Sequence, residues 1–313
     1  MHTRPRMTLV RMFKMVLAAS LVFCHPAPAF GEAEPEGASV EKQIIGNTYV
    51  TIAGRQVAMW KPAGAGPSEG FPLVVFSHGF SLCETGSKFL TQSLAQAGYL
   101  VLAPHHRDGS CHLLIAKLFK SPDLPFGKPE AWSDTTHRDR RDDVEEILNE
   151  VLKEKSFQGV MIDRNRIGLA GHSLGGYTAL GLAGAWPAWK DPRIKAVLAM
   201  APYCAPFLKT GDLAHLNVPV MYQVATGDFT ITPTVAPEGA GYDLTSAPKS
   251  LVEFTLVGHL AWTGAIPWRH DVIARYALAF FDHYLKGVST PDSLAELFKS
   301  DLPSGVKRVD YNL

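Results

Sequence analysis

The 313-residue sequence is poor in cysteine, with four in all, and no apolar run reaches the length of a membrane span. The missing run excludes an ordinary transmembrane helix, which needs about 20 apolar residues. There is no internal repeat and no low-complexity tract, which excludes solenoids, propellers and a disordered chain. Nor is there a charge excess: 30 basic residues stand against 30 acidic ones. A nucleic-acid partner calls for a basic footprint, so none is expected. What is present is 46% hydrophobic residues and ordinary glycine and proline, the composition of a globular enzyme-sized domain.

The first residues differ from the rest. Arg4, Arg6, Arg11 and Lys14 come without an acid, MVLAASLVF follows as a short apolar core, and Ala27-Pro28-Ala29 gives a small-residue exit. That order predicts a secretory signal peptide over 1–29, with Ala33 as a later cleavage point. Cys24 is a poor lipoprotein site because Phe23 stands where a small residue is needed. Removing the leader leaves 26 basic residues against 30 acidic, a net charge near −4. The expected destination is the periplasm or the outside of the cell. Three cysteines remain, Cys83, Cys111 and Cys204, so one disulfide and one free thiol is the simplest arrangement in an oxidising compartment.

Residues 30–43 are polar and aperiodic and read as a flexible lead-in. NTYVTIAGRQVAMWKP predicts a hairpin around Gly54. From there strands and helices alternate. FPLVVFSHG, YLVLAP, RIGLAG, IKAVLAMAP, VPVMYQVATG and SLVEFTLVG are strand-like; SKFLTQSLAQAG, TTHRDRRDDVEEILNEVLKEK, SLGGYTALGLAGAW and WRHDVIARYALAFFDHYLKG are helix-like. The pattern predicts an α/β fold, a mostly parallel sheet with helices on both faces, in one domain over 44–290. The tail 291–313 reads as a short helix and an irregular end. Two long connections, 107–136 and 229–249, are expected to leave the carboxyl ends of strands, where open α/β sheets place ligands.

Gly171-His172-Ser173-Leu174-Gly175 has the G-x-S-x-G form of a nucleophile elbow, between a buried-strand pattern and a small-residue helix. Serine is a weak nucleophile until a base takes its proton and a third group holds the base. Two later strands end in Gly227-Asp228 and Gly258-His259. The expected set is therefore Ser173 as nucleophile, His259 as general base then acid, and Asp228 orienting the imidazole. Asp212 and Asp243 are the competing acids. The backbone N–H groups of Leu174 and Phe80 are the expected oxyanion donors. His78 is expected to order the loop carrying Phe80. Phe80, Leu113, Phe119, Phe229 and Trp262 are candidate walls of an apolar cleft. His105, His106, Cys111 and His112 are ligand types at a spacing that matches no common zinc pattern, so neither metal nor cofactor is expected. Cys83 and Cys111 fall on loops that neighbour each other in such a fold, which makes them candidates for the bridge, although spacing alone does not fix which two cysteines pair.

Taken together, PLVVFSHGF, AGYLVLAPHHRDGS, RIGLAGHSLGGYTAL and VGHLAWT resemble α/β-hydrolases of the dienelactone hydrolase-like group. That group includes bacterial relatives of platelet-activating factor acetylhydrolase and secreted cutinase-like esterases. The resemblance covers roughly 44 to 290, and HRDGS is closer to the acetylhydrolase branch. It implies a serine esterase acting on small or polymeric esters, and the shortness of APYCAPFLKTGDLAHLN, where that superfamily inserts its large lids, predicts that this chain has none. Two departures stand out. The elbow holds Ser173 where dienelactone hydrolases have cysteine. APYCAPF carries no carboxylate where plasma-type acetylhydrolases keep their acid, which returns that role to Asp228. The same residues would serve a serine peptidase or an acyltransferase. A catalytically inactive binding protein on this fold is the alternative of another class.

Overall fold

A computed structural model of the chain describes residues 46–111, 121–246, 248–288 and 293–312. The expected leader, the lead-in, His112, Leu113 and Phe119 lie outside the described residues. Strand β1 (Thr48–Ile52) pairs antiparallel with β2 (Arg55–Trp60) through a two-residue turn. Ala53 and Gly54 both take positive φ there, as the tight hairpin turns that match strand twist require. Then follow β3 (Phe71–Ser77), helix α1 (Lys88–Gln96), β4 (Leu100–Pro104) and α2 (Arg138–Val151). A short β5 (Ser156–Phe157) folds onto the start of β6 (Val160–His172), and α3 (Leu174–Leu180) leaves directly from that strand. The rest is β7 (Ile194–Met200), β8 (Val220–Ala225), short helices α4 (Thr232–Val235) and α5 (Gly241–Leu244), β9 (Lys249–Phe254), α6 (His270–Phe281), α7 (Leu294–Lys299) and β10 (Val306–Asn312).

The strand order is β1-β2-β4-β3-β6-β7-β8-β9-β10. The six strands from β4 to β9 are parallel, and both edges are antiparallel. The apolar runs of β3, β4, β7 and β8 are buried nearly throughout, which is what a sheet covered on both faces demands. Successive residues of β6 show the two covers. A Cβ on Gly168 would meet Phe281 of α6 at 2.7 Å, whereas Leu169 gathers with Val144 of α2 and Thr178 of α3. The chain runs from β3 to β4 on one side, then returns past β3 to β6. The switch point therefore lies between β3 and β6, and the ends of these strands are Ser77 and His172.

Two elements depart from expectation. The expected final helix is α-helical to Phe281 and continues as a wider turn over Asp282–Lys286, ended by Gly287 at φ 67°. The expected irregular end is a strand: β10 extends the sheet along β9, with Lys307 and Arg308 paired to Glu253. Between β7 and β8 there is only a short turn over Leu213–His215, with no inserted lid domain. Cys83 and Cys111 form a disulfide that joins the loops after β3 and β4, and Cys204 is a buried free thiol.

Candidate active site

Ser173 closes β6 and opens α3 at φ 57° and ψ −116°, a conformation a side-chain-bearing residue adopts only under strain. Its neighbours make the turn possible. A Cβ on Gly171 would stand 2.1 Å from the Gly175 carbonyl oxygen, and one on Gly175 would stand 1.9 Å from that of Ser77. Only glycine permits these approaches. Backbone bonds then hold the strained residue: its N–H donates to Met200 (2.9 Å), and its carbonyl accepts from Tyr177 (3.2 Å) and Tyr203 (3.0 Å).

His259 begins the turn after β9, with Nε2 2.9 Å from Ser173 Oγ and Nδ1 2.6 Å from Asp228 Oδ2. A carboxylate only accepts, so Nδ1 carries the proton and Nε2 is free to accept the serine hydroxyl. Asp228 follows β8 and is buried. Burial alone raises a carboxyl, but the His259 hydrogen bond and charge, with N–H groups and the hydroxyl of Thr230, outweigh it and hold the acid below its ordinary value. Its second oxygen accepts from Thr230 N–H (3.3 Å), Thr230 Oγ1 (2.9 Å) and Ile231 N–H (3.1 Å), so the carboxylate cannot swing. The two loops are pinned together where Gly227 N–H donates to the Val257 carbonyl at 2.9 Å. A Cβ on Gly227 would stand 2.6 Å from that carbonyl oxygen. His172 lies beneath and donates from Nε2 to the His259 carbonyl (2.8 Å). Burial first, and then the neighbouring His259, push His172 down to about 3, so it is neutral.

The competing acids lie elsewhere. Asp243, on α5, accepts from Gly239 N–H, and Asp212 caps the turn at Ala214 and pairs with His215. Leu174 N–H stands first in α3, where it has no intrahelical acceptor. The loop after β3, which carries Phe80, brings Gly79 against Ser173: a Cβ on Gly79 would stand 3.3 Å from Ser173 Cβ. Phe80 is half-buried and meets Phe126 edge-on at 5.5 Å, and Phe126 packs in turn on Tyr203 and Trp132. Phe126 and Tyr203 are therefore aromatic neighbours of the site that were not anticipated.

Two wall expectations need correction. Trp262 is fully buried, stacked against His172 with Nε1 donating to Gln223 (2.9 Å). The turn over His259–Trp262 folds it inward, so it supports the floor and does not line a cleft. Phe229 is 75% exposed and projects at the rim. The histidines of the loop after β4 are held by carboxylates: His105 Nδ1 meets Glu84 (2.5 Å) and His106 Nδ1 meets Asp143 (2.6 Å). Among the described residues two groups gather ligand-type atoms. In one, Cys83 and Cys111 are already joined to each other beside Glu84. In the other, Asp123 and Asp139 beside His137 both pair with Arg107.

The sheet order, the strained serine turn and the hydrogen-bonded chain Ser173–His259–Asp228 are the marks of one fold family. The family model described as "Alpha/beta hydrolase family" matches residues 74–304, and the chain belongs to that family. Among curated proteins it is similar to platelet-activating factor acetylhydrolase of the dog (Canis lupus familiaris), at 25% identity over 276 residues. The match covers 73% of this chain and 61% of the canine protein, so this chain spans under two thirds of that relative's length.

Proposed function

We propose that the protein is an exported serine hydrolase of carboxylic esters, with Ser173, His259 and Asp228 as its catalytic set. The observation that carries this reading is the unbroken chain of hydrogen bonds from Ser173 Oγ through His259 to Asp228. In the first half-reaction Ser173 Oγ attacks the ester carbonyl carbon as its proton passes to His259 Nε2. The oxyanion forms between the N–H groups of Leu174 and Phe80. Collapse breaks the bond to the alcohol, which leaves with the proton from Nε2, and an acyl-serine remains. Water repeats the sequence and releases the acid. Asp228 holds the imidazole in the required tautomer and stabilises its cation.

An ester substrate of short to medium acyl length suits the half-buried aromatic pair Phe80 and Phe126 beside the nucleophile and the absence of a lid domain between β7 and β8. The name of the canine relative, an acetylhydrolase, points the same way. Export is supported by the disulfide, since such bonds persist in oxidising compartments. A panel of p-nitrophenyl esters of graded chain length, beside peptide amides, tests the reading together with a fluorophosphonate probe. The expected outcome is ester turnover and covalent labelling, both lost in Ser173→Ala. Labelling that survives in that variant, or cleavage of amides alone, would overturn it.

A further inference from the structure

Arg140 has no part in the scheme above, and its position calls for a reason. It is a cation on the inward face of α2 with 0% exposure, beside Asp143, Val144 and Ile147. Its guanidinium forks onto Asp108, with Nη2 at 2.8 and 2.9 Å from the two oxygens and Nε at 3.2 Å. The remaining edge faces the loop after β3. Nη1 donates to the His78 carbonyl at 2.6 Å and lies 3.4 Å from Ser77 Oγ, while Nη2 lies 3.4 Å from the Gly79 carbonyl. His78 grips the same unit. Its Nε2 accepts the backbone N–H of His106 (3.1 Å), which leaves the ring proton on Nδ1, and Nδ1–H donates to the Gly79 carbonyl at 2.8 Å.

The Gly79 carbonyl and the Phe80 N–H are opposite ends of one trans peptide, so they point in opposite directions. Fixing the oxygen from the interior aims the N–H the other way, and Gly79 itself lies against Ser173, where an added Cβ would stand 3.3 Å from Ser173 Cβ. That N–H has no acceptor among the described residues. Donors on the carbonyl, one of them cationic, also polarise the peptide and strengthen its N–H as a donor. A buried ion pair contributes little net stability compared with an apolar pair of the same volume, so packing alone gives no reason for Arg140 and Asp108.

We propose that Arg140, held by Asp108, and His78 are positioning residues that set the Gly79–Phe80 peptide as an oxyanion donor. The inference rests on Ser173 being the nucleophile. The test compares an ester with its thionoester, in which sulfur replaces the carbonyl oxygen. Sulfur is a weaker acceptor on a longer bond, so a well-set donor favours the ester. Two variants remove the grip: His78→Ala, and Arg140→Met combined with Asp108→Leu, which leaves no unpaired buried charge. Both are expected to lose about 10- to 100-fold in kcat on the ester at nearly constant KM, with the ester-over-thionoester preference falling in step. His78→Asn, whose side-chain amide can supply the Nδ1–H donor, is expected to restore most of both.

Folding is checked by thermal melting. If the double variant does not fold, the comparison of His78→Ala with His78→Asn decides. Unchanged kcat, or equal loss on both substrates, overturns the positioning role. Turnover that persists in Ser173→Ala overturns the underlying reading instead.

Discussion

At the scale of single residues, the site is built from side chains fixed by main-chain geometry. Asp228 is held by three donors besides His259, so its orientation survives the loss of its charge. Asp228→Asn places an amide against Nδ1 and favours the tautomer in which Nε2 carries the proton, which cannot accept the serine hydroxyl. A drop of about 10⁴ in kcat is expected, with a melting temperature near wild type. Asp243→Asn, remote from His259, is expected to leave turnover unchanged; the reverse pattern in steady-state kinetics would move the acid to Asp243. The meeting of Ser173, Asp228 and His259 was legible because Asp228 and His259 each follow a glycine at the end of an apolar run and Ser173 lies between Gly171 and Gly175. Arg140 was not. A charge in a helix rich in charges reads as solvated, and only its place on the same face as Val144 and Ile147 betrays it. Trp262 misled for a related reason: proximity in sequence to His259 says nothing about which way the turn points the ring.

At the scale of elements, the loops after β3 and β4 act as one unit. The disulfide, the Ser110 N–H donated to the Leu82 carbonyl (2.7 Å), and the Arg140–Asp108 pair tie them together. The bridge closes a sequence separation of 28 residues. Replacing both cysteines by serine is expected to lower unfolding free energy by about 3 kcal/mol in denaturant titrations. A loss of under about 0.5 kcal/mol, the range of an ordinary surface substitution, would show that the remaining ties suffice. The parallel strands were legible as continuous apolar runs flanked by glycine. β10 was not, because an edge strand needs only one partner, and VKRVDYN meets β9 with charges turned to Glu253. Its propensity is weak and its pairing is decided by tertiary contact.

At the scale of the whole molecule, the buried charges couple the loops beside the site to acid stability. Burial raises Asp108, but the charge of Arg140 and its hydrogen bonds outweigh it and hold the carboxyl at about 2. A depressed folded value contributes stability that is present above the ordinary carboxylate range and is lost as pH falls through about 2. The expected loss is about 2 kcal/mol between pH ~4 and ~2. Urea unfolding across that window should show a loss smaller by about that amount in Arg140→Met/Asp108→Leu than in wild type; equal slopes would contradict it. Asp143 has the opposite sign. Burial lifts it to about 6, so its share is present at low pH and fades as pH rises through that value. The order of layers was readable from the alternation of elements. This web of charges was not, since it joins Arg55 of β2 to Asp143 of α2 (2.6 Å), and Arg140 of α2 to the loops after β3 and β4, across distances no local pattern encodes.

The 1.9 Å between an imagined Cβ on Gly175 and the Ser77 oxygen has a practical consequence for redesign. The seam where the central strand meets the helix behind the serine has no room for even one methyl group, so a library that diversifies it will mostly yield dead proteins. Diversity is better placed at the exposed positions around the serine turn, such as Phe229, where a changed side chain displaces solvent and leaves the scaffold alone.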